Sequence, residues 1–422
     1  MKVAVIGAGS TYTPELAVEL SGTTPRSVPA ISELVLHDVD ADRLAIVAGF
    51  VRRILAAGGS PIPVRETTDL VDAVLGAAFV LTQVRIGGQA ARLLDETVPL
   101  NHGCVGNETT GPGGFAMALR AVPVLTGIAE AVATHAPDAW LVNFANPAGL
   151  VTEACRATHA KTMGLCNVAI TFEKGFVAAF GDDITVSSWG LNHLSWITGV
   201  QDAKGAERLP DVLRWFPDEG EIPGRLVRAL ACLPNPYLRY YYLTGEMLAK
   251  QRSAERSRAE EVLEIEADLL RRYADPQLSS RPDQLSERGG SWYSTAAVDV
   301  VRAISGNTGQ RQVLDVPNRT DAGDAVVPGL PLDAIVEIPC TVDASGPHAL
   351  VLPEPPAPQP LALVHSVKAY ERLTIPAALS GSRRGALDAL LAHPLVRDLD
   401  VAAPLLDELL AVHARWLPRF AD

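Results

Sequence analysis

The chain has 422 residues, 48% of them hydrophobic and only 20% charged, which is enough apolar chain for a large core and excludes a disordered protein. Length alone suggests two or three structural units. Acidic residues outnumber basic ones by 49 − 36 = 13, and the basic ones are scattered; this excludes the footprint of a nucleic-acid binder and requires an anionic substrate to find a local group of arginines.

Met1-Lys2 runs directly into apolar Val3–Ile6, without a charged leader region or cleavage site, and no apolar run approaches about 20 residues. Neither a signal peptide nor a membrane span is expected. Val3–Ile6, Glu33–His37, Phe79–Val84 and Trp140–Phe144 are short β-branched runs separated by amphipathic stretches, a rhythm that predicts a parallel sheet with right-handed crossovers. Gly7 and Gly9 follow the first strand, and Thr13-Pro14-Glu15-Leu16 opens a helix. A backbone without side chains there can approach a pyrophosphate whose charge faces the helix N-terminus, with Ser10 as a hydroxyl donor. Tyr12 stands where the usual fingerprint has its third glycine. Asp38, at the end of the next strand, suits a ribose diol and favours NAD over NADP. A glycine turn with Asp38 as a loop carboxylate is the competing reading of this motif taken alone.

Further along, Thr185–Leu191 and Ser195–Val200 read as strands, and Glu255–Arg272 as a strong helix of an α+β substrate domain. The proline-rich segment Leu352–Pro360 excludes a regular helix or central strand, because proline lacks the N–H those ladders need. It leads into a helical layer over Leu361–Leu417. Cys104, Cys155, Cys166, Cys232 and Cys340 are odd in number and widely spaced, which argues against a disulfide framework and for the cytoplasm.

Three stretches have compositions that packing does not ask for: Gly106-Asn107-Glu108-Thr109-Thr110-Gly111-Pro112-Gly113-Gly114-Phe115, Asn143-Phe144-Ala145-Asn146-Pro147-Ala148-Gly149 and Gly190-Leu191-Asn192-His193-Leu194-Ser195-Trp196. With Gly164-Leu165-Cys166-Asn167-Val168 and Pro234-Asn235-Pro236-Tyr237-Leu238-Arg239-Tyr240-Tyr241-Tyr242, they make the chain resemble the NAD- and manganese-dependent glycosidases of glycoside hydrolase family four, over nearly its whole length. The Glu-Thr-Thr-Gly-Pro-Gly-Gly-Phe run and the Cys166-Asn167 pair resemble the branch acting on 6-phospho-β-glucosides. Asn107 and Ala169 depart from that branch, where glutamine and proline are usual.

The resemblance implies an α/β fold: a Rossmann-type parallel sheet of the lactate and malate dehydrogenase kind over residues 1–165, and a metal- and substrate-binding α+β domain over 166–422. It implies that a hydride leaves C3 of the sugar for NAD⁺ and that a base removes the acidified C2 proton. The glycosidic oxygen then leaves C1, water adds, and the hydride returns, an exception to hydrolysis by two carboxylates. A divalent metal serves as a Lewis acid at the C3 oxygen. Cys166 and His193 resemble its two protein ligands, and manganese is favoured, although a thiolate also suits cobalt, nickel or iron. Spacing alone would leave a buried thiol and a packed histidine.

Tyr237 matches the C2 base, with Tyr241 the alternative; a phenol would need its pKa shifted down, which a nearby cation and arginine can do. Four tyrosines in six residues also suit a packed aromatic face. Arg92 and Arg258 match arginines that touch the substrate phosphate, and Asn146 matches a substrate-binding asparagine. The implied protein is a cytoplasmic homodimer or homotetramer that binds a small sugar phosphate and neither nucleic acid nor membrane. Three other functions fit parts of the sequence: a 2-hydroxy acid dehydrogenase, which would accumulate NADH; a glycosidase of the same family acting on another sugar, an α-glycoside or an unphosphorylated one; and a sugar-phosphate or dinucleotide sensor without chemistry.

Overall fold

The computed structural model describes residues 1–21, 31–181, 184–289 and 292–421. Its strands are β1 (Lys2–Ile6), β2 (Glu33–His37), β3 (Val64–Thr67), β4 (Phe79–Thr82), β5 (Trp140–Asn143), β6 (Thr162–Gly164), β7 (Thr185–Leu191), β8 (Leu194–Gln201), β9 (Leu233–Pro234), β10 (Gln310–Pro317), β11 (Ile335–Asp343) and β12 (Gly346–Ala349). They form one sheet ordered β3-β2-β1-β4-β5-β6-β10-β11-β7-β8-β9, with β12 beside β11. The first six are parallel and in the dinucleotide-fold order, whose ligand crevice opens at the strands' carboxyl ends. Their apolar residues are buried on both faces, as crossover helices require.

β10 extends this sheet in the antiparallel sense, meeting β6 at Asp315 opposite Gly164, and β11, β7, β8 and β9 continue it. The sheet therefore runs without a break across residue 165. The second half also buttresses the first: Tyr273 stacks on Phe50 at 4.5 Å and donates from its hydroxyl to Thr11 O at 2.9 Å.

The predicted strands appear with ends in place or shifted by at most two residues, and β3, β6, β9, β10, β11 and β12 lie outside the predicted ones. The helix expected over Glu255–Arg272 spans Arg258–Tyr273, because Ser257 and Glu260 close a reciprocal capping box. Two expectations need correction. Pro358 and Pro360 lie in the first turn of helix Pro358–Ser380, where backbone N–H groups lack intrahelical acceptors anyway, so the prolines exclude a helix only up to Ala357. Helix Gly111–His135, with 25 residues, has the length and hydropathy to cross a membrane, yet 72% of its apolar window is buried inside the protein. All five cysteines are free and buried.

Candidate active site

The carboxyl ends of the parallel strands open into a cavity of about 1480 Å³. β1 delivers Gly7, Gly9 and Ser10 to its wall, β4 delivers Arg85, β5 delivers Asn146, and β6 runs into Cys166 at the head of helix Asn167–Phe180. Gly7 has φ +86°, and a Cβ there would lie 2.9 Å from Val84 Cγ1, so the turn demands glycine. Helix Thr13–Leu20 begins immediately beyond it. Asp38 lines the same wall: Oδ2 accepts the Gly9 N–H at 2.8 Å and Oδ1 the Asp40 N–H at 3.1 Å. Arg43 donates to Gly9 O at 2.6 Å and pairs with Glu266. Against the upward pull of burial, Arg288 and Arg43 hold the Glu266 carboxyl at about 2.

Asn143 and Asn146 in the Asn-Phe-Ala-Asn-Pro loop have separate tasks. Asn143 is buried, accepting from Thr82 at 2.9 Å and donating to Ala145 O, Ala148 O and Thr152, which holds the loop. Asn146 lines the cavity with a buried Oδ1 that has no partner among the described residues, an acceptor left for a ligand. Gly113 in the Gly-Pro-Gly-Gly run serves packing: a Cβ there would lie 2.2 Å from Asn107 O and 2.3 Å from Asp95 O. That close approach presses Glu108 against helix Gly88–Asn101, where it is buried between Arg85 and Arg92. Burial pushes the Glu108 carboxyl up, but the two guanidinium groups hold it below the usual range.

His193 sits at the tip of the β7–β8 hairpin with φ +64°. Burial lowers its pKa to about 4, so the imidazole is neutral and its lone pair is available. The ring stacks on Tyr237 at a centroid distance of 4.1 Å, and Cys166 lies close enough to act electrostatically on Tyr237. Thiol, imidazole and phenol therefore converge. Among the described residues no three His, Cys, Asp or Glu side chains cluster as a closed metal shell. A soft sulfur and a neutral nitrogen beside the unpartnered Asn146 Oδ1 fit a divalent cation whose remaining positions go to substrate.

Tyr237 and Tyr241 separate here. Tyr237 lines the main cavity, whereas Tyr241 lines a small neighbouring one with Tyr370, Glu371 and His393. The chain alone does not lower the Tyr237 pKa as expected: burial and the Glu108 carboxylate raise it, opposed by Arg92. The arginines expected to supply a local positive pocket lie in ion pairs. Arg92 is neutralised by Glu96 at 2.7 Å and Glu108 at 3.2 Å, and half-exposed Arg258 by Glu261 at 2.8 Å. Arg239, which was not singled out, pairs with exposed Glu221 and has a buried Nε without a partner among the described residues.

Behind Cys166 lies a carboxyl pair that sequence inspection missed. Asp315 and Glu337 face each other across β10 and β11, and both are buried. Burial raises both pKa values, and their mutual repulsion adds to it at Asp315. The local signal was present as single acids in apolar strands, Val-Leu-Asp-Val and Ile-Val-Glu-Ile, where alternation leaves a charge facing inward.

A dinucleotide-type sheet whose crevice carries a neutral imidazole and a phenol, with a thiol close beside them, defines an enzyme of the Rossmann class. The chain belongs to the family 4 glycosyl hydrolases: the model of that family matches residues 2–181, and the model of the family 4 glycosyl hydrolase C-terminal domain matches residues 188–396. A probable 6-phospho-beta-glucosidase of Bacillus subtilis (strain 168) is 35% identical over 100% of this chain and 98% of that protein. The structure of the 6-phospho-beta glucosidase from Thermotoga maritima with manganese, NAD+ and glucose-6-phosphate is similar with a TM-score of 0.88 at 35% identity, covering 99% of each chain. A lactate dehydrogenase from Cryptosporidium parvum shares the fold, with a TM-score of 0.55 at 15% identity over 89% of this chain and 97% of that one.

Proposed function

We propose that this chain hydrolyses 6-phospho-β-glucosides with NAD⁺ and a divalent cation, manganese first. The observation that carries the reading is the convergence, in one cavity, of the glycine turn at Gly7–Ser10 with the stacked pair His193 and Tyr237, and with Cys166 close beside Tyr237. The similar proteins, which bear the 6-phospho-beta-glucosidase name over full length, support it.

When bound, NAD⁺ supplies reversible hydride acceptance and the cation supplies Lewis-acid polarisation. Gly7, Gly9 and Ser10 cradle the pyrophosphate, Asp38 faces the adenosine ribose, and Cys166 and His193 hold the cation. Asn146 binds the sugar, and Tyr237 takes the proton from C2 once C3 is a ketone. The aglycone then leaves C1 and water takes its place. The positive charge needed to bring a buried phenol into range comes from Arg92 together with the cation. Arg92, Arg258 and Arg239 face the 6-phosphate, since a dianion without cationic donors would cost several kcal/mol to bury. We further read residues 1–165 as the NAD-binding unit and 166–422 as the metal and substrate unit of a cytoplasmic homodimer or homotetramer.

A panel of nitrophenyl glycosides, each with and without 6-phosphate, tests the substrate. We expect the phosphate to raise kcat/KM by about 100-fold or more, and Arg239→Ala and Arg258→Ala each to remove about ten- to a hundredfold of that advantage, the worth of a charged hydrogen bond. Equal turnover of unphosphorylated glycosides would refute the reading. For the cofactor, NADP⁺ should bind at least about tenfold more weakly than NAD⁺, because a 2′-phosphate would approach the Asp38 carboxylate. Asp38→Ala should narrow that gap, and a titration in which NADP⁺ binds more tightly contradicts it.

A further inference from the structure

We infer that Ser195 and Asn235 are positioning residues of this site, joining the base Tyr237 through one buried hydrogen-bonded chain to Glu337, the carboxyl group beside the cation ligand Cys166; the inference rests on the roles proposed above for Tyr237 and Cys166. Asn235 Oδ1 accepts the Tyr237 N–H at 3.1 Å and so caps the short turn Pro236–Leu238. The Asn235 side-chain amide donates to Ser195 Oγ at 3.2 Å, and that hydroxyl donates to Glu337 Oε1 at 2.6 Å. Glu337 in turn lies beside the Cys166 thiol, close enough for the two groups to act on each other's charge. Asn235 is 3% exposed, Ser195 8%, Glu337 2% and Cys166 3%, so little water competes for any link and each lost partner leaves a polar atom stranded.

The directions are determined by donor arithmetic. The one Ser195 proton goes to the carboxylate, so its lone pair must take the Asn235 N–H. That leaves Asn235 Oδ1 for the Tyr237 backbone, and a flipped amide would put two donors together. The register makes the reach possible: Glu337 pairs with Gly190 and Gly190 with Ser195, so the serine and the carboxylate meet across a strand that offers no side chain between them. Three side chains from β8, β11 and the turn after β9 thereby set the phenol relative to the thiol. Because a misplacement of about 1 Å can cost about 100-fold in rate, such a chain acts on the proton-transfer step rather than on substrate affinity.

The test measures kcat, KM, NAD⁺ affinity and deuterium incorporation at C2 in D₂O for Ser195→Ala, Asn235→Asp, their combination and Ser195→Thr. Asn235→Asp keeps the acceptor for Tyr237 but cannot donate to Ser195. We expect Ser195→Ala and Asn235→Asp each to lower kcat and C2 exchange by about ten- to a hundredfold, with KM and NAD⁺ affinity changed less than about twofold. The combination should be no worse than the poorer single variant, because one chain is cut once. Ser195→Thr, which keeps the hydroxyl, should restore exchange. Wild-type exchange with unaffected variants, or losses that add in the combination and track thermal stability, would overturn the inference alone. A wild-type product without deuterium would overturn the mechanism beneath it as well.

Discussion

Replacing Tyr237 with phenylalanine should lower kcat by about 10²–10⁴-fold, the usual contribution of a positioned general base, while NAD⁺ binding stays intact. The phenol lines the main cavity and stacks on His193; Tyr240 lines the same cavity with its ring 6.3 Å from Tyr237, but among the described residues it makes no such stack on the imidazole. Product formed by the wild type in D₂O should carry deuterium at C2, because removal and return of that proton exchanges it with solvent, which hydrolysis by two carboxylates does not require. Tyr241→Phe is the control. Its ring lies in the small cavity beside His393 and Tyr370, and activity should stay within roughly severalfold. A full-speed Tyr237→Phe enzyme would move the base elsewhere, and product without deuterium would remove the redox-elimination route altogether.

The second large effect is at the cation. Cys166→Ser and His193→Ala should each cost about 10³-fold or more in metal-dependent activity, since Lewis-acid polarisation contributes several kcal/mol. NAD⁺ affinity should hold, because the glycine turn sits on β1 and the two ligands sit beyond β6 and between β7 and β8. Binding of Mn²⁺ should also tighten with pH. Burial, Glu337 and Asp315 raise the Cys166 pKa well above the ordinary thiol range, whereas burial keeps His193 neutral down to about 4. Between about pH 6 and 8 the histidine is already a ligand and the cysteine still carries its proton. Metal binding must therefore release it, and affinity should rise by about a factor of ten per pH unit. Acidification weakens binding by the same factor. Affinity independent of pH, or full activity after chelation, would exclude Cys166 as the ligand.

The sequence by itself determined whatever depends on near neighbours along the chain. The first strand, the glycine turn and the start of helix Thr13–Leu20 follow from a buried run, two residues without side chains and a proline in the first helical turn. The loop motifs around Asn146, Cys166, His193 and Tyr237 stood out because polar residues among glycines and prolines are not what packing selects. Only the tertiary structure decided which of these residues meet. Tyr237 and Tyr241 are four residues apart in a run of tyrosines, and the short turn Pro236–Leu238 followed by helix Arg239–Tyr242 sends them to different cavities. Glu108 was read as part of a glycine-rich loop; its place between Arg85 and Arg92 depends on close packing that brings Gly113 against Asp95 and Asn107. Asp315 and Glu337 lie about 150 to 170 residues beyond Cys166 in the chain, and only the antiparallel register of β10 and β11 against β6 and β7 puts them behind it. Pairing between strands so far apart leaves no periodic trace in either segment, because register is selected by the burial of both faces together and not by the residues of one strand alone.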